Sequence, residues 1–217
     1  MILIKKRKEP EEWLAYRLTE GVDYQATPEL VNSLYEEQGY ICAYCMRRIP
    51  HQDKVSTEDH RVEHMLSREN HDDRKLDYSN MVVCCPGHIG DEDHCDKKKG
   101  SLDISFSPMD QVFINSLSYC SDGKIKSSNS KYNKEINDIL NLNTELLVKN
   151  RKGMIDEMVN QLKMYVKRKG TLDKSFLIHM IEKYSSMFKK EDKLMYHPYC
   201  GVALYYLQNK LNKLQAK

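Results

Sequence analysis

The spacing of apolar residues predicts helices at both ends of the chain. Pro10 and the pair Thr27-Pro28 predict two short helices before residue 39, because proline is favoured in the first helical turn and threonine caps it. Asn143 is placed to cap a long helix that closes at Gly170, and Asp173 to cap the next. The apolar stripes that we interpret as core packing comprise Leu147, Ile155, Met158, Val159, Leu162, Tyr165 and Val166, then Phe176, Leu177, Met180, Ile181, Tyr184 and Phe188, and lastly Val202, Tyr205, Tyr206, Leu211 and Leu214.

The middle of the chain follows a different pattern. From residue 40 to about 100 the helical period is lost and Cys, His, Asp and Pro are frequent, which is typical of loops organised by a metal. Strands are predicted over residues 55–64 and 81–85, and a short helix followed by a turn from residue 96 to about 104. Residues 113–125 predict a hairpin that turns at Ser121-Asp122-Gly123-Lys124. The fold class is therefore α+β with a mainly helical C-terminal region.

Length and hydropathy limit the protein class. The 217 residues fit one domain or two small ones. A mean hydropathy of -0.70 and the lack of a long apolar run argue against a membrane protein, and the N-terminal sequence does not have the order of a secretory signal. We expect a cytoplasmic protein with N-terminal helices (1–39), a metal-organised core (40–106) and a hairpin with helices (107–217).

Charge is unevenly distributed along the chain. Residues 1–120 contain 15 Lys and Arg against 22 Asp and Glu, whereas residues 121–217 contain 19 against 10. Such asymmetry suggests that the basic half contacts nucleic acid. Solvated helix faces would give the same count, so both interpretations stay open.

Cysteine spacing predicts a structural zinc site. Cys42-Ala-Tyr-Cys45 is a knuckle from which two thiolates can bind one zinc, and the second pair is Cys95 with either Cys85 or Cys84. A redox pair is the alternative, but the surrounding sequence lacks the βαβ pattern of thioredoxins. Cys120 and Cys200 stand apart, and we expect both to be small buried residues.

The residues between these cysteines resemble a known family. Val62-Glu63-His64, then Asn80, then Cys95-Asp96 and Lys99-Gly100 follow the order of the HNH nucleases, whose fold is a ββα-metal unit. The resemblance implies that His64 is the general base and that Glu63 and Asp96 bind the catalytic Mg²⁺ or Mn²⁺. It implies further that Asn80 fixes the loop and the orientation of the histidine. The four zinc ligands implied are Cys42, Cys45, Cys85 and Cys95.

The sequence departs from the HNH pattern at several positions. Glu63 replaces the commoner Asp, Asp96 replaces Asn or His, and nine residues, 86–94, separate the second cysteine pair. The spacing from Asn80 favours Cys85 over Cys84 as the third ligand. Asp59-His60 is a competing acidic-His pair, and His94 is an alternative metal ligand; we favour Glu63-His64.

A narrower resemblance extends past this core. Ser107-Pro108-Met109, Ser121 to Ile125, Ile139-Leu140-Asn141-Leu142-Asn143 and Leu146 to Arg151 resemble the HNH nucleases of retrons and Septu anti-phage systems, the PtuB family. This resemblance implies a companion ABC or SMC-like ATPase (PtuA-like) that docks on residues from about 130 to 217. It also implies a role in defence by cutting nucleic acid, with DNA as the first expected substrate. Cleavage of transfer RNA and a zinc-knuckle binding module without catalysis are the alternatives. If this region serves for docking, removal of the residues after about 170 should disrupt the complex and leave the zinc unit folded.

Overall fold

The computed structural model describes residues 1–50, 59–88 and 92–216. Within these ranges the protein is mixed α+β, with eight helices and three two-stranded antiparallel sheets. The helices are α1 (Glu11–Arg17), α2 (Pro28–Glu37), α3 (Cys95–Lys99), α4 (Gln111–Ser116), α5 (Ser130–Asp138), α6 (Glu145–Lys169), α7 (Lys174–Ser185) and α8 (Cys200–Gln215). The sheets pair β1 (Arg61–His64) with β2 (Met81–Cys84), β3 (Leu117–Tyr119) with β4 (Ile125–Ser127), and β5 (Phe188–Lys190) with β6 (Lys193–Met195).

The two N-terminal helices form where proline and the cap predict them. The side chain of Thr27 accepts a hydrogen bond from the Leu30 backbone N–H, and Pro28 opens α2. Pro10 is the N-cap residue of α1. The buried faces of both helices, including Trp13 and Leu34, pack into the protein core.

Strands β1 and β2 pair in the middle of the chain, with His64 opposite Met81 and Arg61 opposite Cys84. All four residues of β2 are buried, in agreement with its apolar sequence. The first strand was predicted from residue 55, and its first four residues lie outside the described ranges. Helix α3 begins at Cys95 and ends at Lys99, and a turn follows at residues 100 and 101, so the predicted short helix with its turn is present.

The predicted hairpin over residues 113–125 was partly wrong. Phe113 lies in α4, which Asp110 caps by accepting a hydrogen bond from Val112 N. The reason is tertiary, because the Phe113 ring is fully buried and stacks on Phe106 at 3.9 Å between centroids. The hairpin itself begins at Leu117, and Gly123 in its turn has a φ of +95°.

The caps of the long helices were predicted with mixed success. Asp173 caps α7 through Phe176 N at 2.8 Å, as expected. Asn143 does not cap α6, whose N-cap is Thr144. The Asn143 amide instead pairs with the backbone N–H and C=O of Ile125 in β4, at 3.0 Å each, and this long-range pairing replaces the local cap.

The C-terminal helices and the segment that carries the clustered cysteines share one core. Leu147, Met158 and Leu177 from the predicted stripes are fully buried in the same cluster as the cysteines, whereas Phe188 lies beyond α7 in β5. Cys200 is buried as expected, and Cys120 is half-buried. No helix in the described part of the chain is both long and apolar enough to cross a bilayer.

Candidate zinc cluster and active-site groove

A tight turn presents the first two cysteines. Cys42 N donates to Arg47 O and Met46 N donates to Cys42 O, both at 3.0 Å, while Met46 adopts a φ of +62°. These backbone bonds hold the Cys42-to-Cys45 segment in a closed loop. Both thiols are thereby turned into the protein interior, where each is about 1% exposed.

Four buried thiols converge on one point. The Sγ atoms of Cys42, Cys45, Cys85 and Cys95 all lie within 4.8 Å of one another. Cys42 and Cys95 are 3.8 Å apart, and Cys45 and Cys85 are 3.7 Å apart. Tetrahedral zinc with Zn–S bonds of about 2.3 Å requires S···S separations of about 3.8 Å. The cluster therefore fits a structural zinc ion in both donor type and spacing.

The protonation of these thiols also favours a cation. Burial opposes ionisation of Cys42, but hydrogen bonds from the neighbouring thiols hold its pKa well below the usual value. The pKa of Cys85 is raised well above its usual value, first by its hydrogen bond to Cys42. One thiolate thus suppresses ionisation of the others, and a bound metal would supply the positive charge that allows all to ionise.

Cys84 and His94 border the cluster without belonging to the group of four. Cys84 is fully buried on the strand next to Cys85, and successive strand residues point to opposite faces. His94 is fully buried, with Nδ1 at 3.2 Å from the Cys95 thiol and 3.9 Å from the Cys85 thiol. The geometry places Cys85 among the four close thiols, as the spacing from Asn80 favoured.

The Leu-Asn-Leu-Asn segment supports the zinc cluster directly. Cys95 has a φ of +56°, and its backbone N–H donates to Leu140 O at 2.8 Å. The Asn141 amide donates to Asp93 O at 3.0 Å. This segment therefore has a structural role, because it fixes the backbone of a candidate zinc ligand.

A groove lies beside the cluster and collects the predicted catalytic residues. Its volume is about 480 Å³. The residues that line it are Asp23, Arg61, Val62, Glu63, His64, Ser67, Arg68, Glu69, Asp72, Lys75, Asp96, Gly100 and Ser101. Three of the four predicted catalytic side chains thus face one space, and we call it the active-site groove.

His64 ends strand β1 with its imidazole held in a defined orientation. Its Nε2 lies 3.0 Å from the Lys75 carbonyl oxygen, and the Tyr24 ring packs edge-on against it at 4.5 Å between centroids. A carbonyl oxygen only accepts, so Nε2 carries the proton and Nδ1 is left as an acceptor. Burial lowers the pKa of His64 to about 4, which keeps the ring neutral near pH 7.

Glu63 is almost fully buried beside a lysine and a tyrosine. Its Oε1 accepts from Tyr44 Oη at 2.8 Å and forms an ion pair with Lys99 Nζ at 3.0 Å. Lys99 also donates to the His64 carbonyl at 3.0 Å and is itself buried. Burial, and then the neighbouring Asp96 carboxyl group, raise the pKa of Glu63 well above its usual value. The two carboxyl groups are close enough to disfavour double ionisation without a cation between them.

Asp96 occupies the first turn of α3, where a carboxylate is favoured by the helix dipole. Its Oδ2 pairs with Nε of Arg61, whose side chain is half exposed at the groove. Asn80 lies one residue before β2 and accepts from Leu66 N at 2.8 Å while donating to Leu66 O at 2.9 Å. Asn80 therefore ties the loop after His64 to the start of β2.

The competing acidic-His pair lies away from the groove, whereas three further residues lie around His64. His60 is buried against the Tyr35 ring at 5.4 Å between centroids and does not line the groove. Tyr24, Arg68 and Lys75 surround His64 but were not predicted from the sequence. These three residues lie in loops without a recognisable motif, and only the tertiary fold brings them close to His64. Their spacing in the sequence therefore could not predict their position.

No protein-family model matches this chain, and no curated protein matches it.

Proposed function

We propose that the protein is a metal-dependent nuclease of the HNH type, in which His64 activates the attacking water. The observation that carries the proposal is the state of His64. Its imidazole is neutral, its Nε2–H is fixed on the Lys75 carbonyl, and its ring lines a groove with two carboxyl groups. A neutral imidazole with a defined acceptor nitrogen suits proton abstraction from water during phosphodiester hydrolysis.

Glu63 and Asp96 would hold the catalytic cation. Carboxylate oxygens are the ligands that Mg²⁺ and Mn²⁺ favour, and such an ion stabilises charge developing on the phosphate and on the leaving oxygen. The raised pKa of Glu63 beside Asp96 indicates a pair that a divalent cation would stabilise. Lys99 and Tyr44 position Glu63 through its Oε1 atom.

In this proposal β1, β2 and α3 form the ββα-metal unit, and zinc on the four cysteines holds it. Strand β1 ends in Glu63 and His64, and α3 begins at the zinc ligand Cys95 with Asp96 next to it. Zinc binding therefore fixes the start of the helix that supplies the second carboxylate. The same backbone segments thus hold the proposed zinc ligands and the proposed catalytic residues.

We further propose that the nuclease acts in anti-phage defence with an ABC or SMC-like ATPase, cutting DNA in preference to RNA. The support is the family resemblance together with the charge distribution. The first 120 residues, which contain the groove, have a clear excess of acidic residues. Phosphate binding depends on Lys and Arg, so such a unit gains from a basic surface elsewhere in the chain or on a partner.

The deciding experiment is digestion of DNA and RNA panels with Mg²⁺ or Mn²⁺, with and without the companion ATPase. We expect DNA cleavage that requires the metal, that increases with the ATPase, and that His64→Ala lowers by ~10² to 10⁴-fold while zinc content is retained. His60→Ala is the matched control, because it removes a buried histidine outside the groove. We expect this variant to lose stability and to keep its cleavage rate per folded molecule.

Three results would contradict parts of the proposal. Full cleavage by His64→Ala would reject the assigned base. Cleavage confined to transfer RNA would keep the chemistry and change the substrate. Nucleic-acid binding without cleavage under every condition would favour a zinc-knuckle binding module.

A further inference from the structure

Arg68 differs from the other cations of the active-site groove in having no carboxylate partner. Its side chain is exposed, and none of the described carboxylates lies within ion-pair distance of it. Lys75 pairs with Asp23 at 3.0 Å and with Asp72 at 2.8 Å. Arg61 pairs with Asp96. Among the described cations that line the groove, Arg68 is thus the one that stays available for an anionic ligand.

The Tyr24 ring holds Arg68 close to the proposed base. The Arg68 guanidinium carbon lies 4.7 Å from the ring centroid, and the same ring packs against His64 at 4.5 Å. A guanidinium on an aromatic ring is oriented with its N–H donors still free at the edges. The ring therefore places an unneutralised cation beside the imidazole that faces the groove.

The charge of the groove explains why such a cation is needed. Within the described part of the chain, three cations and five carboxyl groups line it, and the carboxyl groups are those of Asp23, Glu63, Glu69, Asp72 and Asp96. Two of the three lining cations are already paired with members of this set. A polyanionic substrate would meet a repulsive surface even with one divalent cation bound, unless an unpaired cation contacts its phosphates.

We propose that Arg68 forms a phosphate-binding subsite for the nucleic-acid backbone at or next to the phosphate that is cut. The inference rests on the proposed function and adds to it a residue that contacts substrate. The guanidinium fork matches two oxygens of one phosphate, which a lysine ammonium does not. Arg68 therefore both attracts the backbone and sets its position relative to His64.

The test measures binding separately from cleavage. All variants are made in the His64→Ala background, and a fluorescent DNA duplex and the RNA of the same sequence are titrated over a salt series with Mg²⁺ present. We expect Arg68→Ala to weaken binding roughly tenfold to a hundredfold, the effect of losing one charge-assisted contact. The slope of log affinity against log salt should fall by about 0.7 to 0.9, which corresponds to one phosphate contact.

Two further variants make the result specific. Arg68→Lys keeps the charge and should recover the salt slope but only part of the affinity, because the fork is lost. Arg74→Ala is the matched control, since Arg74 belongs to the same loop, pairs with Asp77 at 2.6 Å and does not line the groove. Its affinity and salt slope should equal those of the parent.

The outcomes separate this inference from the proposed function. Arg68-dependent binding supports the subsite even if the wild type does not cut. Equal effects of Arg68→Ala and Arg74→Ala, or an unchanged salt slope in Arg68→Ala, would overturn the subsite while leaving any observed cleavage intact. Absence of binding to either probe by the parent would also overturn the subsite.

Discussion

At the residue scale, the pair of buried carboxyl groups gives a direct test for the catalytic metal. Glu63 is 2% exposed and Asp96 9% exposed, and burial followed by the neighbouring Asp96 carboxyl group raises the pKa of Glu63. A divalent cation that binds only the folded protein stabilises it, by about 2.7 kcal/mol when its concentration is a hundred times the Kd. We expect Mn²⁺ to raise the Tm of the zinc-loaded protein, and Glu63→Gln or Asp96→Asn to remove that increase.

Glu69 provides the control for this measurement. Its exposed carboxyl group lines the same groove but lies outside the buried pair. Glu69→Gln should therefore keep the full Mn²⁺ effect. The same Tm increase in Glu63→Gln and Asp96→Asn would mean that the cation binds elsewhere.

At the scale of single elements, the end of strand β2 places one of two neighbouring cysteines in the candidate zinc site. Cys84 and Cys85 are neighbours at its end, but only Cys85 belongs to the four close thiols. Structural zinc contributes on the order of 10 kcal/mol to small metal domains. We expect Cys85→Ala to lose zinc and the folded β1–β2 region, whereas Cys84→Ala should retain about one zinc per chain.

Metal analysis of the purified variants, together with circular dichroism, checks this prediction. Cys84→Ala is the matched control because it removes a fully buried thiol from the adjacent position. Full zinc occupancy in Cys85→Ala would reject Cys85 as a ligand. Loss of zinc from both variants would point to general unfolding of the strand.

Individual elements also show what could be predicted from the sequence. Thr27 and Asp173 cap their helices as predicted, because both caps use donors within three residues. Asn143 and Phe113 were assigned wrongly because contacts distant in sequence, with Ile125 and Phe106 respectively, override the local signal. Local chemistry could thus be predicted from the sequence, whereas these two positions depended on the tertiary fold.

The same distinction applies to the candidate site. Glu63, His64 and Asp96 follow a recognisable order, and the groove brings them together. Arg68 lines the groove and Tyr24 packs on His64, both from loops outside that pattern, and their pairing depends on a ring contact that spacing cannot predict. The closeness of Glu63, His64 and Asp96 could therefore be predicted from their order in the sequence, whereas the positions of Tyr24 and Arg68 could not.

At the scale of the whole molecule, the helical region packs directly against the zinc region. Tyr199 N donates to Met46 O in the zinc knuckle, and Tyr196 N donates to Gly39 O, both at 3.0 Å. The start of α8 contributes fully buried side chains to the common core. The expectation that the zinc unit stays folded when residues after 170 are removed conflicts with these contacts. Truncation would expose the backbone of the Cys42–Met46 turn, which the helical region now covers.

Gly201 allows this dependence to be tested in the intact chain. A Cβ at this position would lie 2.5 Å from the Met1 carbonyl oxygen and 2.9 Å from the Met46 sulfur, so Gly201→Ala should push α8 away from the knuckle. Overpacking of this kind costs roughly 1 to 3 kcal/mol. We expect a lower Tm and faster loss of zinc to a chelator, in the same direction as truncation after residue 170.

Gly153→Ala is the matched control. Gly153 lies in the exposed part of α6, with no atom within 4 Å of the added methyl group. Alanine there should stabilise the helix by about 0.5 to 1 kcal/mol. If Gly201→Ala retained zinc as well as Gly153→Ala does, the helical region would be a separable docking module after all, and its basic charge would be free to serve a partner alone.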